Sequence, residues 1–296
     1  MIDQEMYRSS AENQWCPGCP NFGILTAVKR ALTALNKRPH EVCLVSGIGQ
    51  AAKLPHYLAA NVFNGLHGRA LPVATGIALA APELTTIVTT GDGDCYGEGG
   101  NHFVHAIRRN PDITVIVHDN RVYALTKGQA SPTTPIGTRT RLQFAGVEAY
   151  PIQGLAVAIA HDAPFVARGY AGDIDGLAEL IGAAVTTTGF SLIEVIQPCI
   201  TWGEHRRDWR TWWKERLAPL AEGYDPHDRA AAIAAALEPD YPLPIGVLYR
   251  GHARPVFGDR YRERIGERPL AELAPLGKAE VEERIAHMRR PRVKEG

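Results

Sequence analysis

The sequence predicts an α/β fold, a parallel sheet with helices on both faces. Short, nearly continuous apolar runs of strand length recur along the first two thirds of the chain, each ending near Gly, Asp, Asn or Gln. Helical patterns of roughly 10 to 15 residues stand between them, the alternation expected of βαβ units. In such sheets chemistry gathers beyond the carboxyl ends of the strands, and the informative motifs of this chain fall there.

The first helix is expected over Asn21 to Leu35 (NFGILTAVKRALTAL), with apolar residues at helical spacing and Asn21 as its N-cap. Val42 to Ser46 (VCLVS) reads as a buried strand, Leu71 to Ala80 as a helix, and Thr85 to Thr90 (TTIVTT) as a second strand running into Gly91. Gly100 to Arg109 is a helix with basic residues at its C-terminal end, where the helix dipole favours them. Ile113 to His118 (ITVIVH) is a third strand ending at Asp119 and Asn120. Ile152 to His161, Ile174 to Thr187 and Ser191 to Ile196 follow as helix, helix and strand. After about Cys199 the chain becomes charged and Pro-rich, with Trp202, Trp209, Trp212 and Trp213 close together. This part is expected to carry a helix over Asp228 to Leu237, a short strand over Ile245 to Tyr249 and a charged helix over Lys278 to Arg289. It reads as an extension that wraps the core or a partner. The tryptophans would either cover their own core or form an interface.

With 296 residues, 32 basic and 32 acidic side chains, the chain has no net field to draw it to nucleic acid or an acidic membrane. No apolar run approaches the roughly 18 to 20 residues that span a bilayer. The N-terminus lacks the basic start and apolar stretch of a secretory signal, so a cytoplasmic protein is expected. Five cysteines in a chain of this length make no disulfide framework; in a reducing compartment, clustered thiols more often bind metal or do redox chemistry.

The strongest motif is Gly91-Asp92-Gly93-Asp94 at one strand end, with Asn120 at the next, 28 residues after Asp92. Mg²⁺ asks for hard oxygen ligands, and Asp92, Asn120 and the carbonyl of Val122 supply a carboxylate, an amide and a backbone oxygen. Glycines beside Asp92 let the backbone approach a diphosphate, and the following helix start adds N–H donors. GDG alone would fit a plain strand-end turn; the Asn at this spacing in a βαβ frame favours the cofactor.

The stretches WCPGCPNFGIL, SGIG, LHGRA, TTGDGD, GGNHFVHAIRRN and DNRVYALTKGQASPT, in this order, resemble the beta subunit of 2-oxoacid:ferredoxin oxidoreductases, with a weaker continuation to IQPCITW. The resemblance implies a thiamine-diphosphate-binding fold over residues 1–205, followed by a C-terminal extension over 206–296. It implies that Asp92, Asn120 and the Val122 carbonyl hold Mg²⁺. Ile48, Gly49, His67, Gly91, Gly93, Asp94, Ala124 and Leu125 would line thiamine diphosphate. Lys127 would approach the substrate carboxylate, and Lys53 would lie near the far end of the substrate, where a cation favours a second carboxylate such as that of 2-oxoglutarate. His67, Lys127 and Lys53 are thus the expected catalytic side chains. For either lysine taken alone, a solvated surface position is the competing reading.

The family holds a [4Fe–4S] cluster on four thiolates, and Cys16, Cys19 and Cys199 match three of them. Gln50 occupies the fourth position. A cluster with a non-cysteine ligand, a [3Fe–4S] cluster and an empty site are all compatible with that departure. Cys95, just after the Mg²⁺ loop, is a possible substitute, and Cys43 reads as a small buried hydrophobe. The resemblance further implies a partner alpha subunit supplying the aminopyrimidine half-site, with 2-oxoacid, coenzyme A and ferredoxin as the other reactants. The expected reaction is oxidative decarboxylation of a 2-oxoacid (2-oxoglutarate favoured slightly over pyruvate or another) to acyl-CoA and CO₂, with electrons passed through the cluster to ferredoxin. A non-oxidative thiamine-diphosphate decarboxylase beta chain would share Asp92 and Asn120 without needing the cysteines. A structural zinc site on the CPGC pair is a third reading, weakened because zinc sites usually show two such pairs or nearby histidines.

Overall fold

The computed structural model describes residues 2–203, 208–238, 240–259, 262–263 and 275–289. Its main sheet has eight strands: β1 (Val42–Ser46), β2 (Asn61–Asn64), β3 (Thr85–Gly91), β4 (Ile113–Asp119), β7 (Phe165–Tyr170), β8 (Phe190–Ile196), β9 (Leu217–Pro219) and β10 (Leu243–Tyr249). They lie in the order β2-β1-β3-β4-β8-β7-β10-β9, while β5 (Val122–Tyr123) and β6 (Gln129–Ala130) form a separate small hairpin. Every pairing in the large sheet is parallel except β10 against β7.

The continuously apolar strands are buried on both faces, as their pattern demands. Cys43, Val45, Val88, Val115, Val117 and Leu192 point into one core, beneath α2 (Ala70–Ala80), α3 (Gly100–Arg109), α4 (Gly154–Ala160) and α7 (Arg229–Leu237). Their neighbours Val42, Leu44, Ile87, Ile116, Ile193 and Val195 point into the other, beneath α1 (Asn21–Ala34) and α5 (Ile174–Val185). The period-two alternation of a strand therefore divides one apolar run between two cores.

A third, smaller cluster closes the carboxyl ends of the last strands. Trp209 and Trp213, on α6 (Trp209–Lys214), pack there with Tyr170, Ile196 and Leu243. These two tryptophans cover their own chain. The extension also lengthens the sheet, because β10 pairs with β7 and β9 with β10. The charged helix Lys278–Arg289 is present. The expected boundary between residues 205 and 206 lies outside the described residues. No helix among the described residues is long and apolar enough to cross a membrane.

Several local readings need correction. Asn21 does not cap α1: Pro20 holds that position, and the buried Asn21 amide oxygen pairs instead with His118 Nδ1 at 2.8 Å. Burial lowers His118 to about 3, so its ring is neutral and Nδ1 donates this bond. The strand β7, absent from the sequence reading, carries Arg168 in a fully buried segment. That guanidinium donates to the carbonyls of Ala235, Pro244 and Ala236, which is how a cation survives inside a strand. The edge strand β2 was also missed, its four residues being exposed.

Candidate functional site

The strand order sets the site. β1, β3 and β4 run in parallel, so the loops that follow Ser46, Gly91 and Asp119 leave the same edge of the sheet. β8 runs beside β4 with Ile196 opposite Asp119, and the Gln197 N–H donates to the Asp119 carbonyl at 2.9 Å. The segment carrying Cys199 is thereby held next to the loop carrying Asn120.

A narrow cleft of about 90 Å³ opens between these loops. It gathers Ile48, Gly49, His67, Gly91, Asp92, Gly93, Asp94, Asn120, Val122, Ala124 and Leu125, which are the whole expected cofactor and Mg²⁺ set. Gln50, Ala51, Tyr123 and Thr126 complete the walls. Gly49 sits at φ 117°, a conformation that L side chains rarely adopt. Its missing Cβ, like that of Gly91, would project into open space, leaving room for a ligand against the backbone. Gly93 has the opposite reason: a methyl there would run into the Tyr123 ring.

The acidic residues are tightly committed. Asp94 is buried, and its Oδ1 accepts from the Ile48 N–H at 3.1 Å and the Gly68 N–H at 2.7 Å. Its Oδ2 accepts from the Thr90 hydroxyl at 2.6 Å. Asp94 lines the cleft, yet its carboxylate chiefly pins the SGIG and LHGRA loops to the end of β3. His67 Nδ1 lies 2.6 Å from Asp94 Oδ1 at ion-pair distance, without the alignment of a hydrogen bond.

Asp92 stands at the start of a π-helical turn over Gly93–Glu98 that leads into α3, an irregular helix start of the kind often found at functional sites. Its Oδ2 lies 2.6 Å from the Thr133 hydroxyl, which is also 2.7 Å from Asp119 Oδ1. One hydroxyl proton thus faces two buried carboxylates. Burial, then the negative charge of Asp119, push the Asp92 carboxyl up to about 7. Farther back, burial and then the Asp119 charge raise Glu194 to about 7, where it accepts a 2.7 Å hydrogen bond from Tyr96. Asn120 Oδ1 accepts from the Val122 N–H at 3.0 Å, shaping the turn that aims this loop.

A larger cavity of about 560 Å³ lies on the other side of Asn120 and Val122, which line both spaces. Arg121, Lys127, Arg141, Cys199, Trp202 and Trp213 are among its walls. Arg121 at φ 60° and Lys127 at φ 77° both occupy the left-handed region, where residues other than glycine are strained. Arg121 stacks over Trp213 and Arg141 over Trp202. Lys127 is exposed and belongs to this cavity; Lys53, on the helical turn Ala51–Tyr57, lines neither space.

The cysteines fall into three environments. Cys16 is exposed with Sγ 3.3 Å from the Thr201 hydroxyl, and Cys199 is buried with Sγ accepting the Trp202 N–H at 3.3 Å. Gln197 Nε2 reaches Cys19 Sγ at 3.9 Å. Burial pushes the Cys19 thiol up to about 11, with smaller upward contributions from Cys199 and Cys16 that reflect their proximity. Cys95 and Cys43 are buried elsewhere: Cys95 in the π-helical turn, raised by burial and then by Asp94, and Cys43 within β1. Gln50 is tied to the CPGC loop through its carbonyl, which accepts the Trp15 indole N–H at 2.8 Å. Its side-chain Oε1 is buried with no hydrogen-bond partner among the described residues. Among those residues no three His, Cys, Asp or Glu side chains converge as ligands of one metal ion. The oxygen set expected for Mg²⁺ contains a single carboxylate, so it is of another kind.

Thr133 and Tyr123 went unassigned in the sequence, although both lie inside the stretch DNRVYALTKGQASPT. No local pattern marks Thr133, whose place comes from its contacts with Asp92 and Asp119.

Comparison with known proteins adds a second line. Residues 44–195 match the family model described as thiamine pyrophosphate enzyme, C-terminal TPP binding domain, and residues 199–264 match the model for the C-terminal part of the pyruvate ferredoxin oxidoreductase beta chain. The chain is 42% identical over 265 residues to 2-oxoacid:ferredoxin oxidoreductase 2, subunit beta, of Aeropyrum pernix, covering 86% of this chain and 85% of that one. It is 43% identical over 271 residues to the 2-oxoacid:ferredoxin oxidoreductase subunit beta of Saccharolobus solfataricus, covering 86% of each. Among solved structures, 2-oxoglutarate:ferredoxin oxidoreductase from Magnetococcus marinus, with 2-oxoglutarate, coenzyme A and succinyl-CoA bound, superposes with a TM-score of 0.86 at 31% identity, covering 98% of this chain and 97% of that one.

Proposed function

The chain belongs to the beta subunits of 2-oxoacid:ferredoxin oxidoreductases, and from that premise we propose that it holds the diphosphate end of thiamine diphosphate in an enzyme that oxidatively decarboxylates a dicarboxylic 2-oxoacid to an acyl-CoA. The observation that carries the reading is the narrow cleft, where every residue of the expected cofactor set lines one space.

When bound, thiamine diphosphate supplies the nucleophile and electron sink for removing CO₂ from a 2-oxoacid. The chain's own residues would bind and orient it. Asp92, Asn120 and the Val122 carbonyl offer the hard oxygens that Mg²⁺ prefers, and the open space over Gly49 and Gly91 admits a diphosphate. Asp94 holds the two flanking loops at a fixed separation. Ile48, Ala124 and Leu125 give the cleft an apolar lining that would keep water away. Lys127, a wall of the larger cavity, would meet the substrate's carboxylate; Lys53 lines neither space, so the preference for a second carboxylate rests on the solved relative. The solved relative carries 2-oxoglutarate and coenzyme A, which supports that substrate class.

A cleft of about 90 Å³ is well below the ≈ 300 to 1,000 Å³ of a pocket that encloses a ligand of this size. The reading therefore includes an alpha subunit that supplies the other wall and the aminopyrimidine half-site. Electrons would leave through an iron–sulfur cluster on the cysteines to ferredoxin.

The test is the chain co-expressed with its neighbouring subunit and assayed anaerobically. Reduction of ferredoxin that requires 2-oxoacid, coenzyme A and thiamine diphosphate together is the expected result, with 2-oxoglutarate preferred over pyruvate. Release of CO₂ with no acceptor reduced would overturn the oxidative reading and favour a non-oxidative decarboxylase.

A further inference from the structure

Gln50 is the departure that the family reading does not absorb. It sits where a thiolate is expected, and two facts of its setting bear on what it does there. Its backbone is bound to the indole of Trp15, the residue preceding Cys16, so it is fixed beside the CPGC loop. Its Oε1 is buried and has no hydrogen-bond partner among the described residues, an unfavourable state for an amide oxygen. Such a group is free to meet something it faces when the site is filled.

The three thiols are better provided for. Cys16 lies against the Thr201 hydroxyl, Cys19 against the Gln197 amide, and Cys199 against the Trp202 N–H. Polar hydrogens directed at sulfur are the outer contacts that stabilise a metal-bound thiolate. A neutral carboxamide oxygen is a hard donor and a poor match for iron in a sulfide cluster. By chemistry the donor set therefore offers a cubane three thiolates and leaves the fourth corner weakly held.

We infer that Cys16, Cys19 and Cys199 hold three irons of a four-iron cluster and that Gln50 faces the fourth, which makes that iron removable and replaceable. The inference rests on the cluster proposed above and concerns its open corner. One-electron oxidation by ferricyanide would convert [4Fe–4S]²⁺ to a 3+ cluster, which releases Fe²⁺ and leaves [3Fe–4S]⁺. Ferrous iron and one electron from dithionite would reverse the change.

The experiment uses the holoenzyme purified anaerobically with its partner subunit. Iron, acid-labile sulfide and the electron paramagnetic resonance spectrum are measured before and after stoichiometric ferricyanide. Subtracting the Cys199→Ser enzyme isolates this cluster from any other in the assembly. The native enzyme should hold about four iron and four sulfide at this site, and lose one iron in four as a three-iron signal appears. Gln50→Cys should keep all four and titrate at a lower potential, because the added thiolate makes the cluster more negative. Gln50→Ala, which has no donor, should lose the fourth iron at least as readily as the native chain and serves if Gln50→Cys misfolds. Native or Gln50→Ala enzyme that keeps all four irons under oxidation overturns the inference while leaving the cluster intact. Folded, thiamine-binding enzyme with no iron at this site overturns the cluster itself.

Discussion

The cofactor cleft and the cysteine corner lie at the same edge of the sheet, yet they are built in contrasting ways. In the cleft the acidic side chains are buried and bound: Asp94 takes three donors, and Asp92 shares the Thr133 hydroxyl with Asp119. In the corner Cys16 and Cys199 each have a weak polar neighbour, Cys19 has the Gln197 amide and the Asn21 backbone N–H, Cys16 is exposed, and Gln50 Oε1 has none among the described residues. The cleft has its shape through internal hydrogen bonds. On the proposed reading, the corner consists of groups whose partner is the cluster they would hold. Hard oxygens can be positioned by a rigid backbone, whereas soft sulfurs are positioned mainly by their metal.

That contrast can be broken most severely at Asp92. Asp92→Asn keeps the shape and removes the charge, and should weaken Mg²⁺-dependent thiamine diphosphate binding by more than about 100-fold, beyond the loss typical of outer-shell partners. Calorimetric titration of the assembled enzyme reads this directly, and a loss below tenfold would make Asp92 a structural residue. Next comes Asp94→Ala, which leaves the Ile48 and Gly68 N–H groups and the Thr90 hydroxyl without their acceptor. We expect a destabilisation of about 3 to 5 kcal/mol, seen as a lowered denaturation midpoint. An unchanged midpoint would mean that the loops are held by something else. Gly93→Ala should cost about 1 to 3 kcal/mol by forcing a methyl against Tyr123, and the double variant with Tyr123→Ala should recover part of it. The smallest effect on the cleft belongs to Cys16→Ser. Thiamine diphosphate affinity should stay within about twofold of native, as for independent sites, while bound iron falls. A parallel loss of cofactor affinity would show that the two regions are one unit.

Much of this was legible in the sequence, for reasons that differ by element. β1, β3 and β4 are short apolar runs closed by Gly or Asp, and buried strands read that way. The cleft residues were legible because they cluster in motifs at those strand ends. β7 was not, since Arg168 in FVARGY disguises a fully buried strand whose cation is hydrogen-bonded to carbonyls about 70 residues away in sequence. Asn21 read as a cap because the local rule favours it, and a distant histidine won. Thr133 and the 560 Å³ cavity are products of tertiary contact: Thr133 sits where the loop after β4 folds onto the end of β3, and the cavity where that loop meets the segment after β8. No local pattern announces such a meeting.

The distance along the chain between the parts of each region has a consequence in time. The cleft's lining runs from Ile48 to Thr126, so all of it has been synthesised before β7 and β8 exist. The corner joins Cys16 to Thr201 across 185 residues. Closing so long a loop carries a larger entropy cost, and it waits for β8 to take its place between β4 and β7. On the ribosome the oxygen-lined half is thus available first and the sulfur-lined half last. Iron delivered before the chain has passed Cys199 would find only the CPGC pair.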